Sequence, residues 1–547
     1  SINKYSAGWN KYLLGSYEQN EDGSYSYTTN RVGNEVSTDL NSTNETAGDR
    51  RIYLEAMVDY NRTFGRHDVN AMLLYNQDEL VNNVPGNNLI NSLPKRKQGL
   101  AGRLSYAYDG KYMAEVNMGY NGSENFAKGH RWGFFPSIAL GYNISEESFF
   151  EPLRKVITSM KLRGSWGLVG NDQIGGERFI YMPTINLSGK GFTTGIDQNY
   201  GLSGPVYTRY ENNSITWEVG EKINLGIDLQ LLNSLNIVVD IFRETRRDIF
   251  QKKGTIPTYL GTGNTDVFGN LAEMKNQGLD LSIDYNKAFS KDFYMNFKGT
   301  FTYAHNEITK YDEAPKYAFQ SKVGQSANVS QGYLSNGLFL DEAEIDRYNQ
   351  QMGSTLGAGD IKYLNVSNMH GYGDDIVDVD DWTWIGNPTV PEIVYGFGPS
   401  FKYKNWDFSF FFQGVAKTSL FMSGFHPFGD NSLRNVLQFV ANDRWSPTNQ
   451  NVDAKYPRLT RKTSLNNTNP GNSGRTSDYW MRDGSFLKLK NMELGYTFKR
   501  MRFYISGSNL LTFSKFDLWD PEQGGGSGLK YPTQRVFNVG FQMTFNN

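Results

Sequence analysis

The feature that most constrains this chain is an alternation of apolar residues with polar or small ones, which recurs along most of its length. It is clearest near the end of the chain, from Val536 to Phe545. A period of two places successive side chains on opposite faces of a β-strand, so one face of this strand is apolar and the other tolerates water. The apolar members are Phe537, Val539, Phe541, Met543 and Phe545, and the residues between them are Asn538, Gly540, Gln542 and Thr544.

The alternation becomes regular at Tyr53 and predicts roughly fifteen strands of about ten residues each. One or two more strands are expected before residue 50, and the candidates run from Tyr5 to Tyr17 and from Ser24 to Thr29. The segment from Ser145 to Val156 predicts a short helical turn, with Ser145 as its N-cap.

The connections between these strands alternate between short turns and long loops. Asp109-Gly110 and Asn233-Ser234 are tight-turn signals, whereas a loop of nearly fifty residues precedes Glu218 and the longest loop runs from Asn306 to Ile393. Short turns at one end of the strands and long loops at the other are typical of an outer-membrane barrel, and a soluble sandwich has no reason to sort its loops in this way. The sequence therefore predicts an all-β fold, a transmembrane antiparallel β-barrel.

Composition agrees with this prediction and excludes several other classes of protein. The mean hydropathy is -0.56 and no run of 18 apolar residues exists, which excludes membrane-spanning helices but suits a barrel, where only alternate residues meet lipid. The absence of cysteine excludes disulfides, cysteine-ligated zinc and thiol catalysis. A net charge of -2 gives no indication of nucleic-acid binding. The opening residues do not resemble a signal peptide, so we expect an exported chain to begin after processing or to be a fragment.

Several segments resemble the SusC/RagA family of TonB-dependent outer-membrane transporters of Bacteroidetes, and they occur in the family's order. They are RWGFFPS at 131–137, LRGSWG at 162–167, KNQGLD at 275–280, SFLKLKN at 485–491, NLLT at 509–512 and YPTQR at 531–535.

This resemblance implies a multi-pass protein of the bacterial outer membrane, embedded in its lipid, that imports and catalyses no reaction. The family's fold is a 22-stranded barrel, about the size at which outer-membrane transporters carry a plugged lumen. The plug couples to TonB-ExbB-ExbD, and a SusD-like surface lipoprotein hands over oligosaccharides or peptides. Residues 1–547 match only the C-terminal portion of such a barrel, with its long extracellular loops, and the plug domain is not in this chain.

In this family an EF-hand-like calcium loop often follows the segment GDIKY, which lies here at 359–363. Calcium needs six to eight oxygen ligands, several of them from carboxylates. Asp374, Asp378 and Asp381 occupy acidic positions of such a loop, but His370 and Tyr372 stand where the first acids belong. The stretch is therefore predicted to be either a degraded calcium site or a solvated acidic loop.

Aromatic residues in or beside the long loops are the candidates for ligand contact, above all Trp382, Trp384 and Tyr395. They could stack on sugar rings or peptide side chains, but the aromatic girdles of a barrel explain Tyr and Trp near strand ends equally well. The five histidines show no metal-ligand spacing, and neither a nucleophile elbow nor a phosphate-binding loop is present.

Active import is the leading hypothesis for function, and two alternatives remain open. One is a plug-free passive porin of about sixteen strands. The other is a structural or assembly component of the outer membrane. The long loops favour an importer, since a porin needs an unobstructed mouth.

Overall fold

The computed structural model describes residues 2–6, 8, 11–32, 38–84, 89–175, 178–257, 259, 265–348, 350–351, 356–372, 374–424, 436–459, 467 and 476–545. The regular secondary structure of the described chain is almost entirely β-strand. Up to residue 171 they are β1 (Ile2–Ser6), β2 (Lys11–Gln19), β3 (Tyr25–Val32), β4 (Asn41–Glu45), β5 (Asp49–Phe64), β6 (His67–Asn82), β7 (Lys95–Tyr108), β8 (Tyr112–Ser123), β9 (Trp132–Asn143) and β10 (Ile157–Asn171).

Nineteen further strands follow. They are β11 (Thr184–Thr194), β12 (Tyr200–Arg209), β13 (Glu218–Leu231), β14 (Leu235–Lys252), β15 (Phe268–Ala288), β16 (Phe293–Lys310), β17 (Ser330–Gly332), β18 (Ser335–Leu338), β19 (Gln350–Gln351), β20 (Ile361–Tyr363), β21 (Ile376–Val377), β22 (Thr383–Ile385), β23 (Ile393–Tyr403), β24 (Trp406–Ala416), β25 (Ser419–Phe421), β26 (Met481–Asp483), β27 (Phe486–Phe498), β28 (Met501–Ser514) and β29 (Val536–Met543).

Helices are short and lie in the connections. The α-helices are α1 (Leu89–Ser92), α2 (Glu342–Arg347), α3 (Val366–Met369) and α4 (Gln438–Asn442), and the 3-10 helices include Ile144–Glu146, Ser148–Leu153, Ala318–Gln320, Val379–Asp381, Asp478–Trp480 and Pro521–Gln523. Among the described residues, no helix is long enough and apolar enough to cross a membrane.

One sheet of fifteen strands dominates the fold, in the order β29-β28-β27-β24-β23-β16-β15-β14-β13-β10-β9-β8-β7-β6-β5. From β9 to β29 every pair of neighbours is antiparallel. The predicted number of strands is confirmed. Several strands exceed the expected ten residues, and β15 has 21, because their polar ends continue past the apolar alternation into the long connections.

The chain divides into two compact units, the first of which comprises Ser1–Met57, Leu74–Leu100 and Asn121–Glu124. In this unit β2 pairs with β3, and β1 pairs with β4. The predicted strand from Ser24 to Thr29 is confirmed as β3. The single strand predicted from Tyr5 to Tyr17 is wrong, because two strands, β1 and β2, cover this part of the chain.

The second unit comprises Val58–Leu73, Ala101–Tyr120 and Asn125–Asn547. On its strands the apolar members of the alternation are mostly exposed or half-buried, not packed into a core: Val539 of β29 is 88% exposed and Leu225 of β13 is 63% exposed. The buried core lies instead in the long connections, where the larger of two clusters contains Tyr363, Met422 and Trp480. An exposed apolar sheet face is expected when lipid, not protein, covers it.

Two predictions about the connections are wrong. Ser145 does not cap a helix: the segment forms two 3-10 helices that begin after Asn143 and Glu147, and Ser145 Oγ instead donates to Asn143 Oδ1 at 2.7 Å. The loop before Glu218 is not free of regular structure, because β11 and β12 form a hairpin there. Glycines and three shifts of register interrupt its alternation, so the hairpin carries no clear period-two signal.

Candidate functional site

The candidate site is the folded body that the long connections form at one end of the second unit's strands. Segments 311–392, 417–485 and 515–535 contribute to one hydrophobic cluster. Its buried members are Tyr333, Leu338, Ile361, Tyr363, Val377, Leu420, Met422, Val440, Trp445, Ala454, Tyr456, Trp480 and Phe516. Three loops with a shared core hold their surfaces in fixed positions, which free loops cannot do.

A buried ion pair ties two of these loops together. The Asp360 carboxylate is fully buried, and Arg458 donates to both of its oxygens, at 2.6 and 3.0 Å. Asn467 Nδ2 donates to Oδ1 at 2.6 Å and the backbone N–H of Gly357 donates to Oδ2 at 3.0 Å. The two carboxylate oxygens therefore accept four hydrogen bonds, two of them from the arginine. This geometry compensates for the free energy lost when the charge is removed from water.

The acidic stretch brings two of its three predicted ligands together. Asp374 Oδ2 and Asp381 Oδ1 lie 3.1 and 3.0 Å from Ser367 Oγ, and Asn365 Oδ1 lies 3.0 Å from the same atom. Asp378 is directed elsewhere: its Oδ1 accepts from the backbone N–H of Asp380 at 2.8 Å and caps the 3-10 helix Val379–Asp381.

The oxygens of Asn365, Asp374 and Asp381 around Ser367 Oγ show how well this cluster fits a cation. The Ser367 hydroxyl donates only one hydrogen bond, but Asn365 Oδ1 also accepts from the backbone N–H of Asn368 at 2.8 Å and Asp381 Oδ1 from that of Ser367 at 2.9 Å. The donor set is all oxygen, the set that calcium prefers. However, within the described part of the chain no three His, Cys, Asp or Glu side chains gather as a metal site. The residues present therefore fit calcium in part, through Asn365, Ser367, Asp374 and Asp381.

Asp381 is the most perturbed group of this cluster. Its side chain is fully buried, and burial raises the pKa of its carboxyl above the usual value. Hydrogen bonds from Ser367 and from the backbone N–H of Asp378 act in the opposite direction, and the charge of Asp374 adds to the rise. No lysine or arginine in the described ranges pairs with either Asp374 or Asp381, so a positive charge at this place would be stabilised.

The structure separates the three predicted ligand-contact aromatics. Trp384 is held by a hydrogen bond from its Nε1 to Ser321 O at 2.8 Å, and Trp382 packs edge-on against Tyr333 with ring centroids 6.0 Å apart. Both indoles are half-buried in the loop body. Tyr395 lies in β23, on the apolar face of the sheet, and therefore does not join them.

Sequence reasoning missed an aromatic cluster on the outside of the same loop body. The rings of Tyr317 and Tyr372 have centroids 4.2 Å apart, and those of Phe319 and His370 are stacked at 4.6 Å. Beside them Lys316 forms an ion pair with Asp380. The signal in the sequence was the presence of His370 and Tyr372 at positions where a calcium loop has acids. In the structure their rings pack against Phe319 and Tyr317, which lie 51 and 55 residues earlier in the chain.

The other face of the sheet carries polar side chains in ion pairs. Arg163 donates to Asp228 at 3.1 Å and to both oxygens of Asp240 at 2.5 and 2.6 Å. In the same way, Arg502 pairs with Asp407 and Glu493. A sheet with one apolar and one charged face separates lipid from water, as the alternation predicts.

Comparison with known proteins identifies a family and several relatives. A family described as "TonB dependent receptor-like, beta-barrel" matches residues 2–510. "TonB-dependent receptor P3" of Formosa agariphila is 25% identical over 574 residues, covering 94% of this chain and 54% of that protein. "TonB-dependent receptor SusC" of Bacteroides thetaiotaomicron is 28% identical over 471 residues, covering 81% of this chain and 43% of that protein.

Among solved structures, that of the RagAB peptide transporter matches with a TM-score of 0.66 and 20% identity, covering 91% of this chain and 56% of the matched chain. The likeness confirms the predicted all-β barrel fold. The chain spans about half the length of the curated relatives it matches.

Proposed function

Because the chain belongs to the TonB-dependent receptor-like β-barrel family, we propose that it forms the wall and the outer loops of an active importer in the bacterial outer membrane. The observation that carries this proposal is the packed loop body at one end of a sheet with one apolar and one charged face. In this proposal residues 1–547 are the C-terminal portion of the barrel with its extracellular loops, and the plug that couples to TonB-ExbB-ExbD lies outside them.

The cargo we propose is an oligosaccharide or a peptide, delivered together with a SusD-like lipoprotein. Support comes from the relative named SusC and from RagAB, whose structure is described as that of a peptide transporter. Half-buried Trp382 and Trp384 and the exposed Tyr372 offer aromatic surface to such a cargo, because both sugar rings and peptide side chains stack on aromatic faces. Transport of this kind makes and breaks no covalent bond in the cargo.

Growth of the native bacterium tests the proposal. Deleting the gene is expected to abolish growth on one class of oligosaccharide or peptide while growth on the corresponding monomers continues. A strain that lacks TonB should show the same defect. If uptake instead persists without TonB and depends only on the size of the solute, the passive porin is the better account.

Calcium binding at the acidic stretch is a second proposal, in which Asn365, Ser367, Asp374 and Asp381 would supply oxygen ligands. The ion would neutralise the buried Asp381 carboxylate and fix the loop that carries Tyr372. We expect calorimetric titration of the purified protein to give a calcium Kd of about 10⁻⁴ to 10⁻³ M, the range of extracellular modules. Calcium at 100 times its Kd would then stabilise this loop by about 2.7 kcal/mol.

The matched variants are Asp374→Asn and Asp375→Asn. Asp375 is exposed and adjacent, so its substitution should leave calcium binding unchanged, whereas Asp374→Asn should weaken it about tenfold. Equal binding by both variants, or no heat of binding in the unaltered protein, would leave an acidic loop without a bound ion as the correct description, one in which Asp381 is buried and held by hydrogen bonds alone.

A further inference from the structure

An apolar groove crosses three neighbouring strands on the apolar face of the sheet. Its volume is about 430 Å³. Strands β15, β16 and β23 line it, chiefly through Leu281, Ile283, Phe297, Phe301, Tyr395 and Phe397. This volume is within the range of small-molecule binding sites, and the lining side chains are hydrophobic and aromatic, as in such sites.

The groove exists because the alternation of β16 has a glycine at an apolar position. Gly299 is paired with Ile283 on one side and with Phe397 on the other, so a large side chain is expected between them. A Cβ placed at Gly299 would come no closer than 3.3 Å to its nearest neighbour, a carbon of the Phe297 ring. The Phe297 ring therefore leans over the backbone of Gly299, and the groove lies beside this ring, between the strands that carry Ile283 and Phe397.

Another glycine shows that such a gap can be closed from within the protein. Gly102 of β7 occupies an apolar position, but a Cβ there would lie 2.8 Å from Cε of Met118. A flexible methionine side chain covers that glycine, as methionine does in irregular gaps. At Gly299 the Phe297 ring covers the backbone less closely, at 3.3 Å from the Cβ position, and it leaves the groove of about 430 Å³ beside it.

The position of Gly299 along its strand sets its depth. It is the seventh residue of β16, which starts directly after the short turn at Phe293. At about 3.3 Å per residue and a tilt of about 45°, six residues rise roughly 14 Å. The hydrocarbon core of a bilayer is about 30 Å thick, so the groove lies near its middle. Lipid headgroups do not reach that depth, but acyl chains do.

We propose that the groove holds one acyl chain of a membrane lipid, an inference that rests on the outer-membrane placement proposed above. An empty groove would deprive its lining atoms of contacts, and a hydrocarbon chain restores them without bringing a polar group into the bilayer. The surrounding apolar face supports this occupant. Its large side chains, such as the 63% exposed Leu225, continue the same surface that meets lipid on the neighbouring strands.

The test uses a phosphatidylethanolamine with a diazirine at the end of one acyl chain, incorporated into vesicles with the purified full-length protein. After illumination, labelling of residues 393–403 should exceed labelling of the equally apolar β13. Gly299→Leu should reduce that labelling about tenfold, because its side chain fills the groove. Native mass spectrometry in mild detergent should show, in parallel, one retained phospholipid in the unaltered protein and none in Gly299→Leu.

Two control variants keep the test decisive. Gly299→Ala adds a single methyl group and should retain the lipid, and Leu225→Phe adds bulk elsewhere on the same face and should also retain it. Equal labelling of all apolar strands, or equal retention by Gly299→Leu and Leu225→Phe, would overturn the proposal. So would a Gly299→Leu variant that changes oligomeric state without losing lipid, since the groove would then receive a second copy. A failure of import with normal lipid retention would count against the proposed function alone.

Discussion

Replacing Arg458 with methionine is expected to destabilise the loop body by about 3–5 kcal/mol, the cost of leaving a buried charge without its partner. Asp360 is fully buried, and Arg458 supplies two of the four hydrogen bonds to its carboxylate. Asn467 and the backbone N–H of Gly357 remain in the variant, but neither carries a positive charge. Hydrogen exchange of residues 356–372 in the folded protein would measure the loss as a lower local free energy of opening.

Two comparisons separate the loss of charge pairing from the loss of an arginine as such. Arg154→Met removes an exposed arginine that lies 4.0 Å from Glu146 and should change local stability by less than about 1 kcal/mol. Arg458→Met combined with Asp360→Asn should be less damaging than Arg458→Met alone, because no uncompensated charge remains. If the amides of residues 356–372 exchanged no faster in Arg458→Met than in Arg154→Met, the buried ion pair of Asp360 and Arg458 would not be the contact that joins the two loops.

The sheet was predictable from the sequence because each of its strands carries its own signal. Ile223 to Leu231 alternates without interruption, and the Asn233-Ser234 turn returns the chain into β14; in the structure these segments are neighbouring antiparallel strands. A lipid-facing sheet requires an apolar residue at nearly every second position, so the two-residue period is visible within the sequence of each single strand. The predicted terminal strand from Val536 is likewise confirmed, and it ends at Met543 instead of Phe545.

The loop body was not predictable in the same way, because its core is assembled from residues far apart in sequence. Tyr363 and Trp480 are buried in one cluster although more than a hundred residues separate them, and no short period connects them. The predicted acidic triad shows the same limit. The resemblance to a calcium loop placed Asp374, Asp378 and Asp381 together, but Asp378 caps a 3-10 helix, while Ser367 and Asn365, which carry no charge, complete the oxygen cluster.

Replacing Lys488 with methionine is the second change expected to have a large effect. Lys488 is only 1% exposed, and its Nζ donates to Asp520 Oδ2 at 2.5 Å and to Glu522 Oε2 at 2.7 Å. It thereby fastens the 515–535 loop to β27. We expect a loss of about 1.5–3 kcal/mol in local stability, the range for hydrogen bonds to charged groups, since both carboxylates retain some access to water. The protease resistance of the loop at neutral pH would report it.

The dependence of this effect on pH follows from the two carboxylates. Burial is the largest cause and acts to raise the pKa of Asp520 and of Glu522. The hydrogen bonds and charge of Lys488, joined by the backbone N–H of Glu522 for Asp520 and by Lys490 for Glu522, together outweigh it, and both pKa values lie below their ordinary values of 3.8 and 4.5. A lowered acid pKa contributes stability that is fully present above the ordinary value and is lost as pH falls through the folded value. The unaltered loop should therefore be protected at pH 7 and lose protection below about pH 4.

In Lys488→Met the 515–535 loop should already be poorly protected from protease at pH 7. Its protection should change little on acidification, because the contacts of Lys488 with the Asp520 and Glu522 carboxylates are gone. Lys490→Met provides the matched control, since Lys490 contacts only one of the two carboxylates, Glu522 at 2.6 Å. It should cost less stability and preserve most of the pH dependence, because Lys488 still holds Asp520. If Lys488→Met instead kept the full loss of protection between pH 7 and pH 3, other carboxylates would control the loop, and Lys488 would act through packing alone.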